Sequence, residues 1–315
     1  MEVDLPELPQ RVRLHEVSFV VDVEAVVDRL TLHVGDETCY VDHCHAVRTL
    51  PSTIVHSAND ERPVGDDESG SVIDLFGAIC DRTRDVVMSN ADWAESGVRA
   101  GQYNVDVMVD LVCVQALLAA GFDLLSEETG IQRADGEGRR RGIVVVDPLD
   151  GSTNASLGLP WFATSLCWVV DGIPVASMVT NLATGERFEA IEGRGAWSAG
   201  RPLSVRTGPR PIGDAIVGVS GLPSHHFGWR QFRAMGASAL DICAVARGGF
   251  DGFVDTSPDA HGVWDYAGAM LVLIEAGGVI VDALGRDLLT LEHEARRTPI
   301  AAANPDLLTT LVRSI

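Results

Sequence analysis

At 315 residues, 46% of them hydrophobic, the chain has enough apolar side chains to bury a large core, as one big domain or two smaller ones, and is not a disordered protein. A formal net charge of -21, with arginine as the sole fixed side-chain cation because no lysine occurs, excludes a surface built for nucleic acid or anionic lipid. A small anionic substrate would have to be received by metal ions or backbone amides.

The lysine-free composition points to a GC-rich genome or a salt-loving host and says little about function. No basic segment followed by an apolar one opens the chain, and no run reaches the ~20 apolar residues of a membrane span, so a cytoplasmic protein is expected. Cys39, Cys44, Cys80, Cys113, Cys167 and Cys243 are scattered, several in apolar runs, which argues against a disulfide scaffold.

Residues 1–70 read as an N-terminal extension of unknown role, with strand-like alternation over Val17 to Val27 and Leu30 to Val41 and a polar linker from Ser57 to Gly70. Cys39, His43, Cys44 and His45 have donor atoms suited to zinc, but their spacing matches no usual finger, and no metal site is expected there. Residues 71–315 read as the main domain. Apolar spacing predicts a helix over Val72 to Met88 and another over about 103–120, ended by Gly121, with Asp106 and Asp110 on one face. Asp106 reads as a solvated acid.

Leu124-Leu125 and Gly142 to Val146 predict short buried strands, each running into acids: Ser126-Glu127-Glu128 and Asp147. Arg139-Arg140-Arg141, between them, reads as a solvated loop. Ala163 to Val170 and Ile173 to Val179 flank Asp171-Gly172, a strong hairpin signal. Strands are expected over Arg187 to Ile191 and Gly195 to Trp197, helices over Ser238 to Ala246 and Tyr266 to Glu275, and a strand over Val279 to Val281. His225-His226 reads as a surface loop or a substrate-side feature. Adjacent strand hairpins mixed with helices favour an α/β (α+β) protein in α and β layers over a doubly wound parallel sheet.

The most informative run is Asp147-Pro148-Leu149-Asp150-Gly151-Ser152-Thr153-Asn154. Hard cations need oxygen ligands, and a proline-stiffened turn lets both carboxylates and the Leu149 carbonyl converge. Gly151 permits close backbone approach, and Ser152 and Thr153 add hydroxyls and turn amides suited to phosphate. An ordinary Asx turn uses the same residue types. The hydrophobic strand leading into the run and the hydroxyls after it favour the metal and phosphate reading.

Asp147 to Asn154 resembles the metal-binding signature of the inositol monophosphatase family, within the Mg2+-dependent, lithium-sensitive phosphatases. Leu125-Ser126-Glu127-Glu128-Thr129-Gly130 and Trp264-Asp265-Tyr266-Ala267-Gly268-Ala269, running to Glu275-Ala276-Gly277-Gly278, fit the same family in order. The resemblance covers about residues 71–315 and implies a layered α-β-α-β-α sugar-phosphatase fold with mixed, largely antiparallel sheets. It also implies two to three Mg2+ ions held by Glu127, Asp147, the Leu149 carbonyl, Asp150 and Asp265, with Asp110 at a third, weaker ion. Glu128 is the less certain of its pair.

Ser152 stands where the family has a threonine that, with Glu127, orients the attacking water; serine keeps the hydroxyl and loses the methyl. Gly151, Ser152, Thr153, Gly236, Ala237 and the Ser238 turn are then the phosphate cradle, while Asp255 and Asp265 face the substrate. Asp265 also suits a helix N-cap. The reaction implied is attack of metal-activated water on inositol 1-phosphate or a related polyol or sugar phosphate. Histidinol phosphate, fructose 1,6-bisphosphate and a 3'-phosphoadenosine nucleotide are alternative substrates, and a catalytically silent regulatory protein is the competing class. The resemblance further implies a homodimer, while the acidic charge leaves no nucleic-acid or membrane partner expected.

Overall fold

The computed structural model describes strand segments between residues 13 and 42, then residues 66–314 apart from 91, 100, 137 and 209. The chain divides into two compact units, Met1–Asp60 and Glu61–Ile315. In the first, β1 (Arg13–Leu14), β2 (Val17–Asp22), β3 (Arg29–Val34) and β4 (Glu37–Asp42) form an antiparallel sheet in chain order. The expected run Leu30 to Val41 is therefore two strands, with Val34 opposite Glu37. Cys39 falls in β4, but the zinc question turns on its side chain and on His43, Cys44 and His45, which, like the stretch 57–65, lie outside what is described.

The second unit opens with α1 (Asp66–Ser89), which starts before the expected Val72, inside the stretch read as linker. Apolar periodicity marks only the part of a helix that packs; its polar first turn carries Glu68, suited to the positive end of the helix dipole. Next comes α2 (Asn104–Ala119), close to expectation. The following strands are β5 (Asp123–Ser126), β6 (Gly130–Gln132), β7 (Ile143–Asp150), β8 (Ala163–Val170), β9 (Ile173–Asn181), β10 (Arg187–Ile191), β11 (Gly195–Ser198) and β12 (Arg201–Pro202). They form one eight-stranded sheet in the order β12-β11-β10-β9-β8-β7-β5-β6, antiparallel except for β5 beside β7.

The short α3 (Ser152–Ser156) follows β7, and α4 (Ser238–Ala246) and α5 (Ala267–Glu275) sit further along. A second, five-stranded sheet has the order β14 (Gln231–Arg233), β13 (Ile216–Ser220), β15 (Gly252–Asp255), β17 (Pro299–Ala302), β16 (Val279–Asp282), and α6 (Pro305–Ser314) closes the chain. Here β13 runs parallel to both neighbours and the other pairs are antiparallel.

Alternation sorts the layers. Along β7, Val144 and Val146 join Phe76, Ile79, Cys113 and Leu117 of α1 and α2, whereas Ile143 and Val145 join residues of α4 and α5. In the second sheet Phe253 and Ala301 face that same middle layer, while Val254, Ile300 and Ala302 pack on Leu307 and Leu311 of α6. The result is the expected α-β-α-β-α stack. Burial of each large side chain contributes about 1.5–3 kcal/mol. Trp168 shows how such burial is made compatible with a polar atom: it packs edge-on against Phe122 at 5.7 Å while its indole N–H donates to the Arg141 carbonyl at 2.9 Å. Cys80, Cys113, Cys167 and Cys243 are free and buried, and burial lifts the Cys80 thiol to about 12, consistent with packing roles.

Candidate metal and phosphate site

The parallel pairing of β5 with β7 sets Ser126 beside Val146, so the acids that follow each strand emerge together; the Glu127 N–H donates to the Val146 carbonyl at 3.2 Å. Asp265 arrives from a different direction, at the end of a single 3-10 turn, Val263–Asp265, where its Oδ2 accepts the Gly262 N–H at 2.7 Å. It is thus a capping residue as well, and Tyr266, not Asp265, occupies the N-cap of α5. One carboxylate oxygen from each of Glu127, Asp147 and Asp265 lies within 4.8 Å of the others.

Asp147 is fully buried. Its Oδ1 accepts the Leu149 N–H at 3.0 Å, but its Oδ2 has no hydrogen-bond partner. An anionic oxygen left bare in the interior is costly, and a divalent cation with oxygen preference is the natural partner. These residues therefore fit the metal that the motif implies. The electrostatics agree: burial, then the charges of neighbouring acids, pushes Asp147 and Asp150 well above the usual carboxylate range and Glu127 to about 8, and burial raises Asp265 too. So many acids in so small a space share it either with protons or with a cation among them, and a bound cation lets them ionise.

Two residues expected as metal ligands stand beside this triad. Asp150 turns its Oδ2 to the Ala239 N–H at 2.8 Å, at the start of α4. Asp110, buried on α2, accepts the hydroxyl of Ser126, which in turn accepts the Glu128 N–H at 3.2 Å. The Leu149 side chain packs with Val87, Val105, Val109 and Phe162. Glu128 is held by Arg99 and Gln102, and Arg99 reaches Glu127 as well, at 3.1 Å. Asp106 is not a solvated acid: it is buried, because as the third residue of α2 it turns back to accept the Tyr103 N–H at 2.7 Å, and burial lifts its carboxyl to about 6.

Gly151 has φ +83°, and a side chain there would meet the Trp161 carbonyl at 3.0 Å and the Gly236 carbonyl at 3.1 Å. The two expected cradle segments, Gly151-Ser152-Thr153 and Gly236-Ala237, thus approach too closely to leave room for a side chain at Gly151. Asn154 clamps them, its amide donating to the carbonyls of Met235 at 2.7 Å and Trp161 at 2.8 Å. Ser152 is half-buried and Thr153 exposed.

A cavity of about 310 Å³ opens here, lined by Asp150, Asp265, Gly236, Ala237, Ser238 and His261 among others. A groove of about 440 Å³ elsewhere, by Asp74, Glu189 and Trp197, lacks this convergence of acids with glycine turns. Asp255 does not reach the cavity. It is fully buried in mid-sheet, one oxygen accepting the Ser257 N–H at 2.9 Å and the other facing His261 Nδ1 at 2.7 Å. The residue at the wall is His261, which sequence reasoning missed; a lone histidine after a proline-containing loop carries no local signal. Arg99 was missed because its partners Glu127 and Glu128 are distant in sequence, and the clamping role of Asn154, named only as part of its motif, was missed because Met235 is equally distant.

The arginine run is structural: Arg139 joins Arg133 on Asp123, Arg140 pairs with Glu68 at 3.4 Å and lies over the Phe122 ring, and Arg141 meets Asp171. His225 and His226 are exposed, packed against Phe227 and Trp229 respectively.

The profile of the inositol monophosphatase family matches residues 102–315. A fructose-1,6-bisphosphatase/inositol-1-monophosphatase of Thermococcus kodakarensis is 31% identical over 217 residues, 67% of this chain and 81% of its own. An inositol-1-monophosphatase of Mesorhizobium japonicum is 34% identical over 185 residues, 54% of this chain and 66% of its own. Among solved structures, a Pyrococcus horikoshii protein described as having similarities for inositol-1 monophosphatase superposes with a TM-score of 0.69 at 26% identity, covering 78% of this chain and 99% of its own.

Proposed function

The chain belongs to the inositol monophosphatase family, a family of metal-dependent phosphatases acting on small phosphorylated substrates, and from that premise we propose that it hydrolyses a polyol or sugar phosphate with Mg2+ at the Glu127, Asp147 and Asp265 cluster. The observation that carries this is the unpartnered, fully buried Oδ2 of Asp147 beside two further carboxylates. Asp150 and the Leu149 carbonyl complete the set of oxygens for two ions, and Asp110 serves a third. When bound, Mg2+ supplies the charge that acidifies the attacking water and stabilises the developing charge on the leaving oxygen.

The chain's own groups do the rest. Glu127 and the Ser152 hydroxyl orient the attacking water as it loses its proton. Gly151 and Gly236, lacking side chains, let the phosphate approach backbone amides of both turns, with Ser152, Thr153 and Ala237 contributing to the cradle. Asp265, fixed by the Gly262 N–H, and Asp150, fixed by the Ala239 N–H, hold the leaving-group side in place.

Relatives named for inositol-1-monophosphatase and for fructose-1,6-bisphosphatase make both compounds first choices of substrate. The test is phosphate release with Mg2+ from inositol 1-phosphate, fructose 1,6-bisphosphate, histidinol phosphate and a 3'-phosphoadenosine nucleotide. Activity on one of the first two supports the reading, and turnover of none of the four contradicts it. We further take residues 71–315 to be the catalytic part and the protein to act as a cytoplasmic homodimer. Among the described residues no helix is long and apolar enough to cross a membrane, and Val107, Met108 and Leu111 expose an apolar patch on α2 of the kind that dimers cover. A monomer mass by light scattering would overturn the dimer.

A further inference from the structure

Neither ion binding nor the backbone cradle uses the side chains of Ser238 and His261, yet both face the cavity that holds Asp150 and Asp265. Behind them stands Asp255, fully buried at the end of β15, with Oδ2 2.7 Å from His261 Nδ1. A carboxylate only accepts, so Nδ1 carries the proton, and Nε2 is left facing Ser238 Oγ at 2.7 Å and Ser220 Oγ at 3.5 Å. The loop that delivers the histidine is pinned: Asp259, at φ +51°, takes an ion pair from Arg286 at 2.6 Å and gives its N–H to Thr298 Oγ1 at 2.9 Å, and His261 exchanges backbone hydrogen bonds with Arg297. A buried hydrogen-bonded polar pair adds little stability over an apolar one, so its placement at a cavity wall calls for a use.

We propose that Ser238, aimed by the Asp255–His261 pair, is the group that reads a hydroxyl on the leaving alcohol of the substrate, with His261 as its positioning residue. This rests on the phosphatase reading above and deepens it. If Nε2 is protonated it donates to Ser238, whose own hydrogen then points to the cavity. If Nε2 is bare, Ser238 donates to it and turns lone pairs to the cavity. An alcohol hydroxyl, both donor and acceptor, satisfies either arrangement; a phosphate oxygen, acceptor only, satisfies one.

The experiment compares kcat/KM for inositol 1-phosphate with that for phenyl phosphate, whose leaving alcohol has no second hydroxyl, in the full chain with Mg2+. Ser238→Ala and His261→Gln lower the ratio of the two about tenfold, the worth of one hydrogen bond, while Ser238→Thr, which keeps the hydroxyl, retains it. A ratio unchanged in Ser238→Ala, or both substrates losing rate in parallel, overturns the inference. Ser238→Ala leaves the Asp255–His261 pair intact, so its result stands even if His261→Gln fails to fold. Fructose 1,6-bisphosphate, whose leaving alcohol also carries hydroxyls, replaces inositol 1-phosphate in the ratio if it is the better substrate; wild-type protein that turns over none of the four substrates of the panel overturns the phosphatase reading itself, a result distinct from an altered ratio.

Discussion

Asp147 sets the energetic problem of the site, because its buried oxygen and the raised carboxyls around it make the metal-free protein favour protonated acids. The consequence for pH follows by linkage. Glu127 is lifted, chiefly by burial, from 4.5 to about 8, so its stabilising contribution is present below the unfolded value and is lost as pH rises through the folded one. The raised pKa of His261 acts in the same direction. Cation binding needs the acids ionised, so it restores stability where they would otherwise repel. With EDTA the melting temperature should fall between about pH 5 and about pH 8, and Mg2+ should raise it more at the higher pH. An equal Mg2+ effect at both would contradict this electrostatic account.

At the scale of elements, the turn after β7 and the start of α4 depend on each other through Gly151. Gly151→Ala forces a side chain into a left-handed conformation, costing about 1–2 kcal/mol, and against two carbonyls at 3.0 and 3.1 Å. We expect a lower melting temperature and an activity loss larger than the loss of folded protein; wild-type activity would show that the two turns need not touch. The sequence was readable where structure is local. Asp171-Gly172, with φ +52° and +78°, forms the expected hairpin, and α4 spans its expected residues, since turn chemistry and helical period are properties of neighbours. The acids were readable because they sit in contiguous motifs. Strands β13, β15 and β17 were not: they are short, two contain glycine, and β15 pairs with β17 across a long stretch of chain, so nothing near them announces a sheet. Asp255 was misplaced for the same reason, because its burial comes from that sheet and from the loop that returns His261 to it.

For the whole molecule, the separation into Met1–Asp60 and Glu61–Ile315 predicts that a chain starting at Glu61, which keeps all of α1, folds and retains activity. A start at Ser69 removes the first turn of α1 and the pairing of Glu68 with Arg140, and should melt lower. Loss of activity in the chain that starts at Glu61 would show that the first unit contributes to catalysis. The central claim is that acids from three separate places in the chain converge to hold the cations that drive phosphate ester hydrolysis. Its most direct test is phosphate release from inositol 1-phosphate or fructose 1,6-bisphosphate, measured with Mg2+, after EDTA, and after Mg2+ is restored, in wild-type protein and in Asp147→Asn. The account predicts activity that EDTA abolishes and Mg2+ restores, and a fall of more than about 100-fold in Asp147→Asn. Activity that survives EDTA, or an Asp147→Asn variant that turns over at the wild-type rate, would contradict it.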